Sequence, residues 1–399
     1  MNNADLKNLI HKQKLNFSLD QEFYINHDIF DLDIKNIFSK QWVFVGHISR
    51  IPNHGDYFLF NIGKESIIIV RDNDNSVHAH YNVCRHRGSK ICLEDEGNSK
   101  ALICPYHAWT YNLDGSLKGA RLMGKGFNKK DWHLHKCNSK IFEGLIFINL
   151  SDKPNDFEEF IAPTKKFIEF HGLSDAKIAH RKYYPTNGNW KLTLDNFHEC
   201  YHCQSSHPEY CQVHDKDYIV AYGAGSNTGP ASEKFDNILA EWNKNVEKMG
   251  HLTGEYYEIE FNDYSRSAER TPLKEGMFTE TKSGKPISKL MGKFTDYDSG
   301  YTSVGTSPFN SLLMCNDFAT LFTFIPVSPL YTQVELMWLV HKDAEEGRDY
   351  NLEEMKWMWD VTTIADKRII ENNQKGVLSD KYVPGPLSQM EKGLEKFKS

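Results

Sequence analysis

The sequence predicts a two-domain α+β protein: an N-terminal antiparallel β domain, then a domain of helices and antiparallel strands that ends in one long helix. Three observations carry that prediction. At 399 residues the chain exceeds what a single hydrophobic core usually supports. From residue 41 to about 150 it breaks into short β-type runs between turn residues, and from 351 to 375 it keeps a helical pattern. With 40 % hydrophobic and 25 % charged residues, it has apolar mass for sizeable cores and no mark of disorder.

Residues 1–40 read as a helical arm. Ile25, Ile29 and Leu32 recur at i, i+4 and i+7, with Phe30, Ile34 and Ile37 beside them. Such a stripe needs cover, so the arm is expected to pack on the later domain. Residues 41–152 make the first domain. WVFVGHI, DYFLFNI and SIIIVRD read as strands, with turns at Pro52-Asn53-His54-Gly55 and Asn61-Ile62-Gly63. The pattern continues through VHAHYNV and ALICPYHAWTYNLDG to GLIFINL, before the polar SDKPND linker. The second domain, 153–399, opens on a helical pattern, DFEEFIAPTKKFIEFHGL, and a strand, KIAHRKYYPTNGN. Trp190, Leu194 and Phe197 then space as one helix running to Pro208. Residues 221–304, rich in Gly, Ser, Asn and charge, show no sustained period and are expected to be mobile segments around a pocket. Strands return at SLLMCN, ATLFTFIPV and TQVELMWLV, ahead of the last helix.

A net charge of -7 and a pI near 6.2 argue against a nucleic-acid binder, which would carry a basic face. The N-terminus, MNNADLKNLIHKQKLNF, has no apolar signal core, and no run approaches the roughly 18 apolar residues of a membrane span. The expected location is the cytoplasm, with no membrane partner. Eight cysteines, at 84, 92, 104, 137, 200, 203, 211 and 315, read as ligands and buried thiols rather than a disulfide framework.

Two stretches carry chemistry. The first is Cys84-Arg85-His86, then 17 residues, then Cys104-Pro105-Tyr106-His107. Two thiolates and two imidazoles in two short loops suit a metal centre. A Cys2His2 zinc site would use the same ligands. The mixed order, one thiolate and one imidazole in each loop, instead favours a Rieske [2Fe-2S] centre, in which two Cys hold one iron and two His the other. Arg85, Arg87 and Gly88 fit as loop residues that donate hydrogen bonds or allow close backbone approach. With Ala108-Trp109-Thr110-Tyr111 and the turn Leu113-Asp114-Gly115 behind it, the stretch closely resembles a Rieske cluster-binding segment.

The second is Asp195-Asn196-Phe197-His198-Glu199-Cys200-Tyr201-His202-Cys203-Gln204-Ser205-Ser206-His207-Pro208. Glu199 and His202, three apart, share a face of the predicted helix. His207 would sit about 140° further round a continued helix, and converges only if the helix ends or bends, as Pro208 allows. Two histidines and a carboxylate from elsewhere make the facial triad of non-haem Fe(II) oxygenases. Cys200-x-x-Cys203 has the spacing of a thioredoxin-like pair without its surroundings. His198 reads as a helix-face or outer histidine.

Together the two stretches, roughly 90 residues apart, resemble the catalytic α subunit of the Rieske non-haem iron ring-hydroxylating oxygenases over essentially the whole chain. NWKLTLDNFHECYHCQSSHP is similar to the family's mononuclear-iron segment in its key residue types. The resemblance implies a helix-grip (START-like) fold for the C-terminal catalytic domain. It implies a [2Fe-2S] cluster on Cys84, His86, Cys104 and His107, and a mononuclear Fe(II) on His202, His207 and a late-helix carboxylate. In WDVTTIADKRIIENNQKGVLSDKYVPGPLSQME that place is taken by Asp366. It shares a helix side with Thr362, Ile369 and Ile370, an odd setting for an unpaired carboxylate. The plainer alternative is a surface Asp paired with Lys367 or Arg368. By the same resemblance Glu199 links His202 to the partner subunit's His107 in a head-to-tail homotrimer, so that electrons cross between subunits.

Many aromatic-ring dioxygenases of this family carry Asp where this chain has Glu199. Glu199 and the DKRIIENNQKGV…PGPLSQME ending look more like the branch that oxidises quaternary ammonium compounds such as carnitine or glycine betaine. The implied reaction uses O2 to hydroxylate a C–H bond of a small substrate, with N-demethylation or C–N cleavage and release of an aldehyde. Aromatic-ring hydroxylation or dioxygenation is the alternative. A quaternary ammonium needs an aromatic cage, for which Tyr201, Tyr256, Tyr257, Phe309, Phe322 and Trp338 are candidates. Gly223 to Gly229 lacks the G-x-G-x-x-G of a dinucleotide site, so a separate NAD(P)H-dependent flavin/iron–sulfur reductase is implied. Two readings come from other classes: a Rieske electron-transfer protein, against which Glu199, His202, His207 and Asp366 count, and a zinc-binding interaction protein.

Overall fold

The computed structural model describes residues 3–221, 232–258 and 266–394. The chain divides into two compact units, Asn36–Asn155 on one side and Met1–Lys35 with Asp156–Ser399 on the other.

The Asn36–Asn155 unit is built from ten short strands: β1 (Val43–His47), β2 (Asp56–Ile62), β3 (Glu65–Arg71), β4 (Val77–Tyr81), β5 (Glu96–Asn98), β6 (Leu102–Ile103), β7 (Thr110–Tyr111), β8 (Leu117–Gly119), β9 (Asn138–Phe142) and β10 (Leu145–Asn149). They form three antiparallel sheets, ordered β1-β10-β9, β4-β3-β2-β5 and β6-β7-β8. Strand β3, with its apolar run Ile67-Ile68-Ile69-Val70, is buried on both faces. Ile68, Val70, Leu102, Trp109, Tyr111, Leu113 and Leu117 form one apolar core under the two Cys–His loops. Gly115 shows why its turn needs glycine. Its φ is +85°, and a Cβ there would lie 2.6 Å from the ring of buried His80, whose Nε2 bonds the Leu113 carbonyl at 2.8 Å.

The other unit carries a seven-stranded antiparallel sheet. Its strands are β11 (Ala176–Thr186), β12 (Gly254–Glu258), β13 (Arg266–Pro272), β14 (Gly300–Gly305), β15 (Asn310–Met314), β16 (Phe318–Ser328) and β17 (Tyr331–His341), in the order β11-β17-β16-β15-β14-β13-β12. The helices are α1 (Asn3–Lys12), α2 (Glu22–Ile25), α3 (His27–Asn36), α4 (Phe157–His171), α5 (Trp190–Phe197), α6 (Cys203–Ser206), α7 (Pro208–Val213), α8 (Lys216–Ala221), α9 (Glu233–Lys248) and α10 (Leu352–Val377). Caps set the ends of the two that frame the sheet. Asp156 accepts from Glu159 N at the start of α4, Gly172 ends it in the left-handed region, and Asn351 accepts from Glu354 N at the start of α10. Helix α10 packs on β11 and α5, and α4 on β13 and β14. This long helix over an antiparallel sheet is the expected α+β, helix-grip catalytic architecture.

In the arm, Ile29 and Phe30 are buried while Leu32 is exposed, so only part of the apolar stripe finds cover. Leu19 and Tyr24 pack with Leu192, Ile370 and Val377. Asn189 joins arm, α5 and α10: its side chain caps Lys191 N and donates to the carbonyls of Tyr24 (2.9 Å) and Pro329 (2.7 Å), and its N–H donates to Gln374 Oε1 at 2.8 Å. Buried Lys191 pairs with buried Asp33.

Three expectations need correction. The helix from Trp190 stops at Phe197 rather than reaching Pro208, because the i, i+4 apolar rhythm that anchors it ends there. Residues 221–304 contain regular structure, α9 and strands β12 to β14, whose hydrogen-bonded pairing polar side chains concealed; the stretch Gly223 to Gly229 lies outside the described residues. Cys200 and Cys203 are not free thiols but a disulfide, because the turn after α5 brings their Cα atoms to 4.9 Å.

Candidate active site

In the Asn36–Asn155 unit, the two Cys–His loops repeat one backbone motif. The N–H four residues after each cysteine returns to that cysteine's carbonyl, Gly88 to Cys84 at 2.9 Å and Ala108 to Cys104 at 3.0 Å. Both residues are left-handed, with φ of +76° and +55°, which Ala108 adopts at a cost of about 1 kcal/mol. Cys84 and Cys104 are buried, His86 is half-buried and His107 is exposed. The two imidazoles lie 4.6 Å apart, and His86 stacks on Trp109 at 4.9 Å. Tyr111 supports the site from below, with its hydroxyl 3.4 Å from Cys84 Sγ and accepting from Arg85 N at 3.1 Å. His86 Nδ1 is buried without a hydrogen-bond partner. An orphaned imidazole nitrogen beside two buried thiols fits a group that binds two sulfurs and two nitrogens, as a Rieske cluster does.

In the other unit, α5 ends at Phe197 and the chain turns through His198 to His202, so Glu199 and His202 meet across a turn and not on a helix face. His202 Nδ1 donates to Glu199 Oε1 at 2.5 Å. Helix α6 follows and stops at His207, whose φ of -127° and ψ of 72° break the run; Pro208 then occupies the first position of α7. The break turns His207 back toward His202, with ring centroids 5.0 Å apart. Asp366, on α10, completes the group: its Oδ1 is 2.8 Å from His207 Nε2 and 3.3 Å from His202 Nε2. One ligand atom from each of the three residues falls within 4.8 Å of the others, in the donor set of a facial triad. Lys367 pairs with Glu371, so the alternative of Asp366 held by its neighbour fails on that side.

The electrostatics suit a dication. Burial pushes the His202 imidazolium down, but hydrogen bonds and charge from Asp366 and Glu199 outweigh it and raise the pKa to about 10. Burial also pushes the Asp366 carboxyl up, and the two histidines more than offset it, leaving it below the ordinary carboxylate value. The same field that draws a proton to the cluster favours a metal ion. His198 stands apart, bonding the Pro308 carbonyl at 3.2 Å through Nε2.

A cavity adjoins the triad, lined among others by Phe197, Tyr210, Tyr301, Phe322 and Trp359, with Asn196 and Thr362 as its neutral polar groups. No Lys or Arg lines it among the described residues. Behind Trp359, fully buried Glu280 accepts from Trp359 Nε1 at 3.0 Å and bonds His214 Nε2 at 3.0 Å. Of the six aromatic residues expected as a cage, only Phe322 lines this cavity. Tyr201 is exposed, Trp338 is buried within the sheet, Phe309 packs on Trp190 and Tyr257 bonds Glu269; Tyr256 is also absent from the lining. The others had a signal in spacing: Trp359, Thr362 and Asp366 lie at 0, 3 and 7 on α10, and Tyr210 lies three past His207.

Comparison with known proteins matches both units. Residues 173–399 match the family described as ring hydroxylating alpha subunit (catalytic domain), and residues 41–134 match the Rieske [2Fe-2S] domain. The chain is 36 % identical over 378 residues to the glycine betaine monooxygenase oxygenase subunit of Pseudomonas aeruginosa, covering 94 % of this chain and 85 % of that protein. It is 35 % identical over 193 residues to the carnitine monooxygenase oxygenase subunit of Acinetobacter baumannii, covering 47 % of this chain and 52 % of that one. Its fold is similar to a quaternary ammonium Rieske monooxygenase, with TM-score 0.72 at 23 % identity over 98 % of this chain and 95 % of the other. It is also similar to naphthalene 1,2-dioxygenase from Rhodococcus sp., with TM-score 0.66 at 19 % identity over 99 % of this chain and 97 % of the other.

Proposed function

The chain belongs to the Rieske non-haem iron oxygenases as a catalytic α subunit, and from that premise we propose that it hydroxylates a quaternary ammonium compound at a carbon next to nitrogen. The observation that carries the substrate class is the cavity beside His202, His207 and Asp366: aromatic faces, buried Glu280 behind Trp359, and no cationic lining residue among those described. A quaternary ammonium offers no N–H to donate, so ring faces and diffuse negative charge are what can hold it. Relatives that act on glycine betaine and carnitine support the same reading.

Cys84, His86, Cys104 and His107 would hold the [2Fe-2S] cluster, and His202, His207 and Asp366 the mononuclear Fe(II). When bound, these groups supply one-electron transfer and O2 activation. The chain's own residues orient and partition the chemistry. Glu199 keeps the His202 Nδ1 proton in place, which leaves Nε2 as the ligand atom. Its carboxylate has lone pairs to spare for the partner subunit's His107, so a head-to-tail homotrimer would pass electrons between subunits. The aromatic cavity directs a C–H bond of the substrate at the triad and keeps water off it.

The reaction consumes one O2, two electrons and two protons, leaving one oxygen in a C–OH group and the other in water. An N–CH2OH group then breaks its C–N bond, releasing an aldehyde, a proton and a tertiary amine. The electrons would come from a separate NAD(P)H-dependent flavin/iron–sulfur reductase in the cytoplasm. The test is O2 consumption and product formation with a compatible reductase across glycine betaine, carnitine, choline and aromatic acids. Turnover with aldehyde release on a quaternary ammonium is expected; turnover on aromatic acids alone overturns the reading.

A further inference from the structure

Glu209 lies two residues past His207, on the first turn of α7, and its side chain is 7 % exposed. A buried carboxylate must find partners. Glu209 Oε1 takes a hydrogen bond from His207 Nδ1 at 3.3 Å and from Thr362 Oγ1 at 3.0 Å. Thr362 and Asp366 are four apart on α10, hence on one face of that helix. Asp366 in turn meets the opposite nitrogen of the same imidazole, Nε2, at 2.8 Å. The contacts close a ring: His207 Nδ1 to Glu209, Glu209 to Thr362, one helical turn to Asp366, and Asp366 back to His207 Nε2.

We propose that Glu209 is a positioning residue for the mononuclear site, fixing His207 as an Nε2 ligand and tying its ring to the turn of α10 that carries Asp366. The inference rests on the reading that His202, His207 and Asp366 hold iron. An imidazole can offer either nitrogen, and a carboxylate on Nδ1 settles which one carries the proton. His207 and Asp366 come from elements 159 residues apart in sequence. Glu209 and Thr362 join those elements independently of the metal, so the ligand separation is set before binding. Glu199 does the first task for His202, but its partners lie within the same turn. Of the two carboxylates, Glu209 is the one that joins the histidine segment to α10.

The test uses the full chain with its Rieske cluster intact and its mononuclear iron removed, titrated with Fe(II) alone. Glu209→Leu, close in volume, should weaken Fe(II) binding by about 10- to 100-fold. Glu209→Gln, which keeps an acceptor oxygen, should recover part of that loss. Thr362→Val should weaken binding in the same direction, and Thr362→Ser should bind as the parent does. The Rieske EPR signal should stay at the parent value in both Thr362 variants. Thr362→Val, though less stable than the parent for loss of the hydrogen bond to buried Glu209, should remain folded at the titration temperature. Loss of Fe(II) affinity in the folded variant with recovery by Thr362→Ser is what a merely structural role would not give. If Glu209→Leu fails to fold, the Thr362 pair decides. Fe(II) affinity within about threefold of the parent in Glu209→Leu, or in Thr362→Val where the former cannot be purified, overturns the inference. A parent chain that binds no iron beyond its cluster overturns the metal reading itself, which is a different outcome.

Discussion

Glu199 uses both carboxylate oxygens within its own turn, Oε1 accepting from His202 Nδ1 at 2.5 Å and Oε2 from the Tyr201 N–H. The side chain is thereby held rigid although Tyr201 beside it is exposed. For the proposed role of meeting both an iron ligand and a neighbouring subunit, Glu199 offers a fixed geometry, with a side chain that is 10 % exposed.

Glu199→Gln keeps an acceptor oxygen for His202, so both metal centres should load normally. Transfer between them should slow by about 10- to 100-fold, because the amide cannot accept from two imidazoles as a carboxylate does. Single-turnover reduction followed by product quantification reads the effect. Normal transfer in a fully loaded variant would show that Glu199 is not the bridge.

Asp366→Ala removes the carboxylate that α10 would supply to the proposed mononuclear site. Iron content should fall to the two ions of the cluster, with the Rieske EPR signal unchanged, since the four residues proposed to hold the cluster lie in the other unit. Loss of the Rieske signal along with the mononuclear iron would contradict separate sites.

Trp359 offers its ring to the cavity while its indole N–H bonds Glu280. Trp359→Leu should raise KM for a cationic substrate about 2- to 30-fold, the span of 0.5–2 kcal/mol for a cation–π contact, with a smaller change in kcat. Binding of a neutral tert-butyl analogue, measured as a competitive inhibitor, should weaken less. Equal losses for cation and neutral analogue would mean that the ring contributes shape alone.

The candidate ligand residues were legible because metal chemistry confines such residues to a few types in short windows. Cys84, His86, Cys104, His107, His202 and His207 all come from two such windows. Asp366 was different: it stands alone, 159 residues after His207, its only local signal was the helix side it shares with Thr362, Ile369 and Ile370, and the assignment was reached by resemblance. The strands and α10 followed from periodicity. The cavity did not, because its aromatic residues come from α5, α7, β14, β16 and α10, and only the sheet order together with the packing of α5 on β16 and of α10 on α5 and α7 brings those elements together. The turn at Glu199 was missed for a local reason: its i, i+3 spacing to His202 serves a tight turn as well as a helix. Glu209 was missed because Pro208 reads as the end of a segment, whereas here it begins one.

Glu269 gives the fold a pH dependence of its own. Fully buried on β13, it accepts hydrogen bonds from Tyr218 and Tyr257, while burial, aided slightly by Glu255, raises its pKa to about 7. Because the folded-state value lies above the ordinary 4.5, the folded chain holds this proton more tightly than the unfolded one. The associated stability is fully present below about pH 4.5 and declines as pH rises through 7, by roughly 3 kcal/mol at most. Glu269→Gln stays neutral throughout and keeps hydrogen-bonding capacity toward both tyrosines. Denaturant unfolding between pH 5 and pH 8.5 should therefore show the variant gaining on the parent as pH rises, with the two curves closest at the acid end. A difference independent of pH would mean that Glu269 does not change its protonation on unfolding.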